Sequence, residues 1–254
     1  MVVYVPCEDG IVLAADSGFE MNYTEETSLM RRGEKIRNIN DRFLFSGVGS
    51  YSVIDDAREL LKSKLSKTKK FEDIKAEFLN ELADLLDGYI RGARRAKGLD
   101  PDEVDKADDI VITTTLILAY YNEKEGSNAI VISDDLIPTV INNENNIRAL
   151  GFGLGETVVN LELDKYKKEK ITIWEGCFIA YKVINDAMAR VGGSLLGPIS
   201  IYTMSKKGIE KVNDAQIAVL EEAYNEIGRR EQEHVRDTIK YLREDMREKL
   251  RNGK

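Results

Sequence analysis

The hydrophobic period of this chain switches from two residues to about 3.6 and back, and that order limits the folds open to it. Val2-Val3-Tyr4-Val5 is rich in strand formers, Glu8-Asp9-Gly10 is a turn signal, and Ile11-Val12-Leu13-Ala14-Ala15 is a continuous apolar run ending at Asp16. Such a run is expected of a strand buried on both faces. The polar stretch over residues 17–33 reads as a loop, after which Lys35-Ile36-Arg37-Asn38-Ile39 alternates. Asn40-Asp41 marks a turn, Phe43-Leu44-Phe45-Ser46 a strand, and Gly47-Val48-Gly49-Ser50 its stop. Val53, Ala57, Leu60, Leu61 and Leu65 then recur at helical spacing. A basic break at 67–70 leads to a second helix carrying Phe71, Ile74, Phe78, Leu79, Leu82, Leu85, Leu86 and Ile90. Leu99-Asp100-Pro101-Asp102 is a helix stop and loop. Strands are expected over 110–121, 129–133, 137–141 and 147–151, a third helix over 174–191 with Trp174 in the core, and two more strands over 199–204 and 209–212. Asn213 or Asp214 caps a long amphipathic helix, about 60 Å if unbroken. It therefore breaks near Gly228, or its far half projects. Two antiparallel sheets with helices packed outside them follow from this order, an α+β class. The domain spans 1–212 and the helical extension 213–254.

With 254 residues and 43% hydrophobic content, the chain buries an ample core. Against 37 Lys and Arg stand 45 Asp and Glu, a net charge of −8, which argues against nucleic acid as a partner. No apolar run approaches the roughly 20 residues that span a bilayer, so no membrane partner is expected. Met1-Val2-Val3-Tyr4-Val5-Pro6 has no basic n-region, so a signal peptide is not expected. Cys7 and Cys177 build no disulfide framework, fit a reducing cytoplasm, and read as small buried hydrophobes. The single histidine, His234, sits in a polar helical stretch and reads as solvated, which leaves no His-centred triad or zinc site. The basic run over 62–70 reads as a solvated helix end. No cofactor or metal is expected.

Three segments carry more. Asp9-Gly10-Ile11-Val12-Leu13-Ala14-Ala15-Asp16-Ser17, then Lys35-Ile36-Arg37-Asn38-Ile39-Asn40-Asp41-Arg42, then Ser46-Gly47-Val48-Gly49-Ser50 resemble, in order and spacing, the proteasome-type N-terminal-nucleophile (Ntn) hydrolases. That family includes core-proteasome β subunits, the bacterial heat-shock protease of the same fold, and smaller bacterial and archaeal relatives. The resemblance extends through Val212 and leaves the C-terminal helix outside. It implies a four-layer αββα sandwich, assembly into ring or stacked homo-oligomers, and threonine-type endopeptidase chemistry in intracellular proteolysis. The family's N-terminal threonine attacks a peptide carbonyl, its α-amine or a neighbouring group taking the proton. A lysine lowers the nucleophile's pKa, an aspartate pairs with that lysine, and a glycine backbone N–H stabilises the oxyanion. Carried over, these are Lys35, Asp16 and Gly49.

The nucleophile has no counterpart. Counting back from Gly10, the family's threonine falls just before Met1, and loss of Met1 would expose Val2. Thr24 lies in the polar loop, and Cys7 comes several residues too late. Leu154, in Gly151-Phe152-Gly153-Leu154, stands where the family places a hydrogen-bonding serine. Gly192-Gly193-Ser194-Leu195-Leu196-Gly197 lacks the family's aspartate, with Ser194 the nearest polar residue. Two functional classes stay open. One is a catalytically degenerate family member that works by assembly or by binding peptide or unfolded protein. The other is an active threonine-type peptidase or peptide ligase whose processed N-terminus differs from Met1. The register of the first strand favours the former.

Overall fold

The computed structural model of the chain describes residues 1–24, 27–65, 71–96, 98, 114–133, 138–141, 146–151, 153–167, 170–191 and 195–252. It divides into two units, Met1–Val212 and Asn213–Lys254. In the first, Glu8 and Asp9 turn β1 (Val2–Cys7) back onto β2 (Gly10–Ala15), and β3 (Gly18–Thr24), β4 (Thr27–Arg32), β5 (Arg37–Asn40) and β6 (Phe43–Gly49) follow. Two helices come next, α1 (Tyr51–Leu65) and α2 (Phe71–Ala96). The chain then lays down β7 (Thr114–Asn122), β8 (Gly126–Ile132), β9 (Pro138–Ile141) and β10 (Arg148–Leu150). Helices α3 (Gly153–Leu163) and α4 (Ile173–Val191) lead to β11 (Ser200–Ser205) and β12 (Gly208–Lys211).

Two five-stranded antiparallel sheets result, in the orders β10-β1-β2-β11-β12 and β5-β6-β7-β8-β9. Alternation along β6 shows how they are used. Leu44 joins Val2, Tyr4, Leu13, Ile117 and Val131 in a cluster drawn from both sheets. Its neighbours Phe43 and Phe45 face the other way, onto Val53, Ala57 and Leu61 of α1 and Leu82 and Leu86 of α2. Helix α4 packs on β1, β2 and β11, and α3 on α4 and β10. Every residue of β2 is buried, because it lies between β1 and β11 with apolar groups over both faces. Gly10 is fixed by this crowding: a Cβ there would stand 2.1 Å from the Met204 carbonyl oxygen. Gly10→Ala is therefore expected to destabilise the unit by about 1–3 kcal/mol, read as a lower urea midpoint at unchanged m. An unchanged midpoint would show that the β2–β11 pair is looser than this.

The structure corrects several expectations. The stretch over 17–33 contains a hairpin, β3 paired with β4, so Thr24 ends a strand rather than lying in a loop. Phe19, Met21 and Tyr23 alternate with Glu20, Asn22 and Thr24, a period-two signal hidden among polar residues. Lys35 precedes its strand, which begins at Arg37. Helix α3 was not anticipated: in the sequence Gly151-Phe152-Gly153-Leu154 matches only a family segment, yet a helix begins at Gly153 and packs on α4. Trp174 is 54% exposed at the start of α4 and is not core. The stop at 99–102, the basic break at 67–70, the strand residues 110–113, and Phe152, Gly192, Gly193 and Ser194 lie outside the described residues.

The second unit is one helix, α5 (Asp214–Asn252), which runs through Gly228 without a break. Its 39 residues make it about 58 Å long. Asn213 is the cap. The Gln216 N–H donates to the Asn213 side chain at 3.0 Å and the Asn213 N–H to the Gln216 side chain at 2.9 Å, a reciprocal capping box.

Candidate functional site

Asp16 is the first residue beyond β2, whose last residue, Ala15, sits opposite both Val2 and Ser200. The pairing delivers the Asp16 carboxylate to the end of the first sheet, beside Met1. Its Oδ1 accepts from the Met1 α-amine at 2.7 Å and from Lys35 Nζ at 2.6 Å. Its Oδ2 accepts from the backbone N–H of Gly18 at 2.8 Å and of Leu196 at 3.3 Å. The neighbouring Ser17 ties the same segments together: its N–H and its hydroxyl both donate to the Leu196 carbonyl, at 2.8 and 3.0 Å. The Gly33 N–H donates to the Ser17 carbonyl at 2.8 Å. A carboxylate with both oxygens so occupied is held in one rotamer.

Lys35 reaches this point from the second sheet. Its carbonyl accepts from the Ser46 hydroxyl of β6 at 3.1 Å. Its neighbour Glu34 accepts from the Tyr202 hydroxyl at 2.6 Å, from Lys211, and from Arg37 at 3.2 Å, which links the approach to β5 with β11 and β12. Burial pushes the Glu34 carboxyl up, but the Lys211, Tyr202 and Arg37 contacts bring it below its ordinary value. Sequence reasoning missed Glu34, Tyr202 and the Leu196 N–H. Glu34 is one more charged residue beside Lys35, and Tyr202 and Leu196 carry no local signal because they act on the site from a distant part of the chain.

The electrostatics follow from burial. The Met1 amine is lowered from 8.0 to about 5, first by desolvation and then by the Lys35 charge, with Asp16 opposing. Burial alone would raise the Asp16 carboxyl, yet the Met1 amine and Lys35 bring it below its usual range. The amine is thus an unprotonated base at neutral pH, beside a fixed anion and an ammonium. The unfolded amine binds more protons than the folded one between about pH 5 and 8. Stability from this group therefore rises with pH across that window and is lowest at its acid end. Thermal unfolding at pH 5, 6, 7 and 8 is expected to give a rising Tm; a flat or falling profile would contradict the buried neutral amine.

The Met1 side chain packs at two glycines. A Cβ on Gly151 would lie 3.2 Å from its Sδ and Cε, and one on Gly155 3.3 Å from its Cε. Gly49 stands apart from the Asp16–Met1–Lys35 hydrogen bonds. It ends β6, the strand bound to Lys35 through Ser46, is exposed, and has φ 111°, a left-handed conformation that favours glycine. A cleft is lined by Lys35, Gly47, Tyr51 and Ile54 and by two ion pairs, Arg37–Glu34 at 3.2 Å and Arg58–Asp55 at 3.0 Å.

Neither thiol is poised as a nucleophile. Cys7 closes β1, and burial pushes its thiol far up; burial likewise pushes Cys177 up to about 12. Among the described residues no group of three or more His, Cys, Asp or Glu side chains is placed to hold a metal ion. No helix among them is long and apolar enough to cross a membrane. Against known proteins, the chain matches no protein-family model and no curated sequence.

Proposed function

We propose that this chain is a proteasome-like subunit of the N-terminal-nucleophile hydrolase fold, its sheets and helices stacked as a four-layer αββα sandwich. In this reading its site has kept the proton-handling groups and lost the attacking atom. The observation that carries the proposal is the shared oxygen of Asp16, which meets an α-amine and a lysine at once, 2.7 and 2.6 Å away. An isolated structural ion pair needs no amine brought from the chain's first residue. Together the amine, at about 5, and the Lys35 ammonium form the acid–base pair that an N-terminal hydroxyl or thiol requires. Met1 offers a thioether instead, which has no proton to give up and is a poor nucleophile toward a carbonyl. The protein then acts through homo-oligomeric assembly and by holding peptide or unfolded protein. Gly49 would supply a backbone N–H to the peptide carbonyl.

A second reading is favoured by the amine itself. A depressed α-amine is a working general base, so a mature chain with Thr, Ser or Cys at this position would be a peptidase or peptide ligase. One experiment separates the two. The protein purified from its native source is incubated with fluorogenic peptides and with a covalent inhibitor directed at N-terminal threonine, and its intact mass is recorded. The first reading expects Met1 at the N-terminus, no adduct and no turnover. A different first residue with one adduct per chain would establish the second. Turnover without an adduct, unaffected by Lys35→Ala, would remove both.

A further inference from the structure

Helix α5 carries an exposed seam that fits a second copy of itself. Every described side chain from 229 to 243 is exposed, Val235, Ile239 and Leu242 among them. These three are spaced by four and then three residues, and the sequence continues the pattern with Met246. That is the d-a-d-a run of a heptad, with Ile at a and Leu at d, the combination that favours two strands. Over 229–243 the helix buries no apolar side chain, and its last partly buried turns lead into local pairs such as Glu226–Arg229, Glu226–Arg230 and Arg229–Glu233.

The flanking charges say which occupant and which direction. In this register the e positions are Arg229, Arg236 and Arg243, and the g positions are Glu231, Thr238 and Asp245. One flank is basic throughout; the other is acidic or neutral. A parallel partner sets each g against the e position of the facing helix, Glu231 opposite Arg236 in particular. An antiparallel partner would set Arg against Arg and acid against acid. Glu231, Arg236 and Arg243 form no ion pair within the chain among the described residues. We propose that two copies of this chain pair through a parallel, in-register coiled coil of α5 centred on Ile239. The contact is isologous, each helix presenting the same seam. It spans about two heptads, bounded by Gln232 at a and Lys249 at d, so it is a weak, concentration-dependent interface. The proposal stands independently of the chemistry at Asp16.

The test is disulfide trapping in the full chain, where Cys7 and Cys177 are buried. Ile239→Cys is expected to form a disulfide-linked dimer under mild oxidation, several-fold faster than Asp237→Cys on the opposite side of the helix. Equal trapping of the two, or none, would overturn the proposal. Trapping only when Ile239→Cys is mixed with Leu242→Cys would mean an antiparallel pair and overturn it equally. As a second measurement, Ile239→Asp with unchanged helical circular dichroism is expected to lower the weight-average mass in sedimentation across a concentration series. An unchanged mass would count against α5 as the interface.

Discussion

Asp16→Ala is expected to lower the stability of the Met1–Val212 unit by about 3–5 kcal/mol, the cost of breaking a buried pair from one side. The variant removes a buried charge partner of Lys35, only 7% exposed, and leaves the Gly18 and Leu196 N–H groups without their acceptor. Asp16→Asn separates the two contributions. Its amide oxygen still accepts a backbone N–H while the charge is lost, so a smaller loss of about 1–3 kcal/mol is expected. Both are read from urea unfolding with m held constant. A loss below about 1 kcal/mol for the alanine variant would mean that solvent reaches this carboxylate and replaces its partners.

The other large effect is a gain. Met1→Thr, produced behind a cleavable leader so that the threonine carries the free α-amine, is expected to convert a chain that takes no N-terminal label into one that takes one adduct per molecule. Asp16 fixes the amine, Lys35 lies beside it, and threonine in place of methionine sets a hydroxyl next to that base. Adding Lys35→Ala to this variant is expected to return labelling to background. A folded Met1→Thr chain that stays unlabelled would show that nothing presents a carbonyl to this position. The proteasome-like reading of the site would then fail even though the fold stands.

How far these residues were legible depends on the distance over which each is specified. The β1–β2 hairpin announces itself in Glu8-Asp9-Gly10 between apolar runs, and α1 in the spacing of Val53, Ala57, Leu61 and Leu65. Asp16 and Lys35 were found through the segments that contain them; periodicity alone would have given two charged residues at strand ends. The β3–β4 hairpin was hidden because its alternating apolar residues are interleaved with polar ones and no glycine stands between Thr24 and Thr27 in the sequence. Helix α3 was hidden because glycine-rich openings usually end elements, and here packing on α4 overrides that preference. Leu196, which donates to Asp16, and Tyr202, which donates to Glu34 beside Lys35, come from the far end of the unit and leave no mark near either residue.

That distance also sets an order of events during synthesis. Strand β2 finds β1 at once across a tight turn, but its other neighbour, β11, is not made until Ser200 emerges. Until then one edge of the most apolar strand in the unit has unpaired N–H and C=O groups, and Oδ2 of Asp16 lacks the Leu196 N–H. Contacts this remote in sequence close slowly, because the intervening chain must be confined before any reward arrives. The nascent chain is therefore most prone to edge-to-edge association while the middle of the unit is being translated, and the carboxylate site is among the last features to form.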